Sequence, residues 1–92
     1  MIVSKAEAGP AVGALGRACA RAQISWAAFF TNKGVEVLGD GEVVRALATA
    51  RRAVACQESW AEWMADAECP VERGSQTSNS ELVGVADRVV SL

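Results

Sequence analysis

Apolar and small residues recur along the first third of the chain at Val12, Leu15, Cys19, Ala22, Trp26 and Phe29, in alternating steps of three and four. That spacing marks one face of an amphipathic helix. It predicts a helix over 10–31, opened by Pro10 in the first turn, where proline loses no useful donor. The helix should close at Thr31-Asn32-Lys33-Gly34, a cation followed by glycine.

A loop is expected over 32–40. Within it Val35–Leu38 alternates briefly between glycines, which leaves open a short strand at 34–38. Asp40 suits an N-cap, with Glu42 favoured in the first turn of the next helix. Leu47, Ala50, Val54, Gln57, Ala61 and Met64 then repeat the three-four spacing, which predicts a second helix over 41–68. A further stripe at Ala53, Cys56, Trp60, Trp63 and Ala67 lies about 100° around the same helix.

Cys69-Pro70 ends the pattern, 70–79 reads as a polar tether, and a short helix or arm over 80–92 carries Leu82, Val85, Val89 and Leu92. The expected fold is therefore all-α, a single domain over 1–92. It is an antiparallel helical hairpin with a tethered short C-terminal helix.

Composition sharpens this picture. The chain has 92 residues and is 51% hydrophobic, but alanine supplies much of that figure. The three tryptophans and two phenylalanines must dominate the core. An alanine-heavy hairpin with a double stripe on its second helix has more apolar width than it can cover. The excess is greatest at Trp60, Trp63 and Met64, which overshoot the start of the shorter first helix. These three, with Leu82, Val85, Val89 and Leu92 of the arm, are the expected partner-binding residues, since Trp is enriched at interface hot spots and Met adapts to varied surfaces.

Charge and chemistry narrow the function classes. The formal net charge is −2 with a pI near 5.0, and no Lys/Arg stripe marks a nucleic-acid surface. No apolar run is long enough for a transmembrane segment. There is no histidine and no tyrosine, which removes the commonest acid–base residue and every His-dependent triad. Cys19, Cys56 and Cys69 have no metal-ligand spacing; Cys19 and Cys56 read as small buried hydrophobes, and Cys69 as the more exposed thiol. An odd cysteine count and a start without an apolar leader fit reduced thiols in the cytoplasm.

Glu58, Glu62 and Asp66, four residues apart, read as a solvated helix face. Gly39-Asp40-Gly41-Glu42 reads as a helix start, because its own carboxylates repel phosphate. No catalytic, metal or cofactor residues are expected. The function anticipated from sequence is a non-catalytic structural or adaptor subunit that self-associates or docks into a larger protein assembly. Its alternatives are an amphipathic coat on a lipid or polymer surface, and a small enzyme or ligand-binding module.

Overall fold

The computed structural model describes residues 1–92 and corrects the all-α expectation: the protein is an α/β fold built on a four-stranded, wholly parallel sheet. In chain order the elements are β1 (Ile2–Val3), α1 (Gly9–Ala22), β2 (Ala27–Phe30), α2 (Gly41–Ala46), β3 (Arg52–Cys56), α3 (Gln57–Trp63), β4 (Glu72–Gly74) and α4 (Gln76–Val85). A 3₁₀ segment, Asn32–Gly39, fills the loop before α2, so residues 34–38 are not a strand. The strands lie in the order β1-β2-β3-β4. Beyond β1 the chain end adds a parallel bridge between Ile2 and Ser91, fixed by Ile2 N–H to Val90 O (2.7 Å) and Leu92 N–H to Ile2 O (2.8 Å).

The predicted helix over 10–31 fails at its midpoint. α1 begins with Pro10 in its first turn, as expected, but ends at Ala22. Gln23 there turns left-handed (φ 56°), with its N–H directed to the Ala20 and Cys19 carbonyls. The chain then enters β2, where Ala28, Phe29 and Phe30 are all buried. A strand covered on both faces reads as an unbroken apolar run, and over four residues such a run also satisfies helical spacing.

The expected helix over 41–68 resolves into α2, β3 and α3 for the same reason. Asp40 does cap α2, accepting the Glu42 N–H at 2.9 Å. Val54, Ala55 and Cys56, however, are a strand buried on both sides. The tether over 70–79 contains β4 and the start of α4, which is capped by Ser75. There is no helical hairpin.

Alternation along the strands separates two cores. Val3, Ala28, Phe30 and Ala55 face a large cluster with Val12 of α1, Val35 and Leu38 of the 3₁₀ segment Asn32–Gly39, Val43 of α2, Leu47 of a shorter 3₁₀ segment (Leu47–Thr49) and Trp60 of α3, joined by Trp26 from the turn before β2. Phe29, Val54 and Cys56 face the other way and meet only Leu82 of α4. This asymmetry arises from the order of the strands. The crossovers from β1 to β4 all step in one direction and use one face of the sheet. The return from β4 to the far side of β1 steps backwards, and a right-handed crossover can do so only over the opposite face. One helix therefore covers what three cover on the other side.

Two positions show how tightly the main core is set. A Cβ on Gly34 would overlap the main-chain carbonyl of Val3, so the 3₁₀ segment can lie across the end of β1 only with glycine there. Ala65, just beyond α3, has φ 49°, a left-handed conformation that a Cβ disfavours. Gly34→Ala should lower stability by about 3 kcal/mol or more, because the obstruction is backbone and cannot swing aside. Ala65→Gly should raise it by roughly 1 kcal/mol. Urea unfolding of the two variants beside the parent checks both, and equal midpoints would contradict both assignments.

Candidate functional site

Parallel sheets offer ligands the crevice beyond the carboxyl ends of their strands, where neighbouring strands send their chains to opposite faces. In this fold β3 leads to α3 over one face and β4 leads to α4 over the other. The crevice between them is real: a cleft of about 220 Å³ opens there. Three strand ends build it, with Thr31 and Asn32 after β2, Cys56 to Ser59 at the junction of β3 and α3, and Gly74 to Gln76 after β4. Glu62, on the next turn of α3, completes the rim.

Cys56 is the one thiol that lines this cleft. It is the last residue of β3 and the residue before α3, and only 6% of its surface is exposed. Burial pushes its thiol pKa up, but hydrogen bonding to the Ser59 hydroxyl and to the main-chain N–H groups of Ser59 and Glu58 outweighs that. The Glu58 carboxylate opposes the shift, and the net result is a thiol held below its ordinary value. The thiolate is the nucleophilic form of cysteine, so a lowered pKa favours reactivity.

Ser59 is itself held in place. It is buried, and its Oγ accepts the Asn32 N–H at 2.8 Å. Asn32 makes that bond from a left-handed backbone (φ 51°), a conformation asparagine tolerates better than most residues. On the opposite wall Gly74 allows close approach of α4: a Cβ there would meet Ser78 Oγ at 2.5 Å and Val54 Cγ1 at 2.7 Å. β4, only three residues long, is tied to β3 by a two-pronged ion pair, Arg52 Nε to Glu72 Oε1 at 3.0 Å and Arg52 Nη2 to Glu72 Oε2 at 2.6 Å. That pair raises the arginine pKa and lowers the glutamate pKa.

The residues expected from sequence to bind a partner are dispersed. Trp60 is 2% exposed and donates its indole N–H to Ala67 O at 2.8 Å, closing the turn after α3. Met64 is half-buried against the main core. Trp63 is exposed and carries the Lys33 ammonium 5.0 Å from its ring centroid. Leu82 is buried under α4, Leu92 is half-buried, and Val85 and Val89 lie exposed on the α4 side of the sheet.

Cys56 is buried among apolar side chains as expected, packed with Phe29, Val54 and Leu82, but the expected helix over 41–68 hid its place at a strand end. Its signal was the run Val54-Ala55-Cys56 passing directly into the polar Gln57-Glu58-Ser59, the mark of a strand end rather than a helix face. Glu58 and Glu62 are solvent-exposed as expected, but both also rim the cleft. No helix is long and apolar enough to cross a membrane. No family model matches the chain, and no curated protein matches it significantly.

Ser59→Ala removes one hydrogen bond to the thiolate and should raise the Cys56 pKa. The thiolate fraction at neutral pH should fall roughly threefold to tenfold, the worth of one such bond. A group whose folded pKa lies below its unfolded one adds stability above the unfolded value, and that contribution is lost as pH falls through the folded value. The parent should therefore gain stability over Cys56→Ser as pH rises through the thiol range, and Ser59→Ala should gain less. Thiolate absorbance titrations and urea midpoints across pH measure both. An unshifted thiol in Ser59→Ala would remove Ser59 from the site.

Proposed function

We propose that the protein is a small thiol carrier, in which Cys56 accepts a group through its sulfur and yields it to a thiol on another molecule. The observation that carries this reading is the placement of a buried thiol, Cys56, in the crevice where the β3 and β4 chains part, with its pKa drawn below the ordinary value. In the forward step the thiolate attacks the sulfur–sulfur bond of a disulfide or sulfane donor. A new bond forms to Cys56 and the donor's other sulfur leaves as a thiolate. A second thiolate then attacks the adduct and restores the Cys56 thiolate.

The surroundings suit that chemistry. Every bond exchanged is between sulfurs, so the exchange is redox-balanced and calls for no general base once the thiolate exists. The cleft holds no second cysteine: Cys19 lies on α1 and Cys69 beyond α3, and neither lines it. An adduct on Cys56 thus has no internal thiol to displace it and persists until an external one arrives. Apart from Cys56 the lining is polar, which fits a small hydrogen-bonding group better than an acyl chain.

The test is intact-mass analysis after brief exposure of the native protein to a small aromatic disulfide at neutral pH. One adduct should form at Cys56, faster than on an unstructured thiol. Cys56→Ser should lose it while Cys19→Ser and Cys69→Ser keep it, and added thiol should release it. An adduct forming first on Cys69, or a Cys56 no faster than the thiols of the unfolded chain, would overturn the proposal.

A further inference from the structure

We infer that the face of the sheet covered by α4 is a twofold interface between two copies of this chain. Seven large apolar side chains are exposed in the molecule, and six of them line one groove: Val83, Val85, Val89 and Val90 from α4 and the segment after it, with Leu15 from α1 and Ile24 from the turn after it, at the amino ends of the strands. The groove measures about 620 Å³ and runs from the end of α1 to the segment after α4. Exposed apolar residues are ordinary when scattered; concentrated on one face they mark an interaction site.

The extent of the face fits a protein better than a small molecule. Nineteen residues line the groove, near the lower end of the roughly 20–30 residues a side used by stable interfaces. A compact ligand would leave most of the six side chains in water. α4 itself needs the cover, since of its ten residues only Ser78 and Leu82 are buried.

The charges at the rim point to a second copy. Asp87 and Arg88 are consecutive, both exposed, and neither pairs within the chain, whose ion pairs are Arg45–Glu42 and Arg52–Glu72. In an interface where one patch meets itself across a twofold axis, residue i contacts j and j contacts i. Adjacent opposite charges at such a rim then satisfy each other twice, Asp87 on Arg88 and Arg88 on Asp87. The apolar floor supplies the burial and the rim supplies the register.

Light scattering on the intact chain should give twice the 9.6 kDa chain mass, or an even multiple of it, at micromolar concentration. A monomer, alone or with a small molecule retained in native mass spectrometry, would overturn the inference. Val85→Glu with Val89→Glu should reduce the mass to that of one chain while the far-ultraviolet dichroism stays as in the parent; an unchanged mass would overturn it. Where that variant fails to fold, the rim decides. Asp87→Arg and Arg88→Asp should each weaken association about tenfold or more through like-charge contact, and the double exchange should restore it. Single exchanges without effect would also overturn it.

Discussion

The hydrogen-bonded register of four short parallel strands sets everything else in this molecule. Parallel strands cannot be joined by tight turns, so each pairing obliges a crossover long enough to travel back along the sheet. Three crossovers step the same way and stack on one face, burying Phe30, Val3 and Ala55 beneath α1, the 3₁₀ segments, α2 and α3. The fourth must return across the sheet to place Val90–Leu92 beside β1, and α4 alone occupies its path. From that single reversal come both notable surfaces: the crevice where β3 and β4 diverge, and the sparsely covered face behind it.

The distribution of packing energy obeys the same division. Fully burying a large apolar side chain contributes about 1.5–3 kcal/mol, and the main core collects many such contributions. Its two indoles also find polar partners, Trp60 at Ala67 O and Trp26 at Thr49 Oγ1, so neither leaves a buried N–H unpaired. The α4 face collects few. Ordering each backbone residue costs about 1–2 kcal/mol, and ten residues of α4 set against Leu82 and Ser78 form the least secured element of the fold. Strand β4, three residues long at the sheet edge, leans on the Arg52–Glu72 pair, which is solvent-exposed and adds little on its own.

Local signals were legible in the sequence and the architecture was not. Pro10 starting α1, Asp40 capping α2 and the irregular stretch after Asn32 all stem from conformational preferences that act over a few residues. The strands failed because they are four and five residues long, rich in alanine, and buried on both faces. Ala27-Ala28-Phe29-Phe30 and Ala53-Val54-Ala55-Cys56 show no alternation, and alanine counts towards helix on propensity. In the folded chain those alanines serve a different end, admitting helices close to the sheet. Once Ala53–Cys56 is taken as helix, the site disappears as well, because a thiol on a helix stripe reads as packing and the same thiol at a strand end reads as chemistry. Asn32 and Ser59 are 27 residues apart, and no local pattern could join them.

The two surfaces are not independent, because α4 takes part in both. Its amino end, through Ser75 and Gln76, forms a wall of the Cys56 cleft. Its carboxyl half, through Leu82, Val83 and Val85, forms the apolar face. Gly74 and Ser78 lock the amino end against Val54, whose neighbours in the strand lead directly to Cys56. A helix secured at only one end leaves the wall of a site free to fray, and a second copy laid over Val83 and Val85 secures the other end. Association on this face would therefore bear on the thiol, by fixing the helix that shapes one side of the crevice and whose Leu82 packs in one cluster with Cys56.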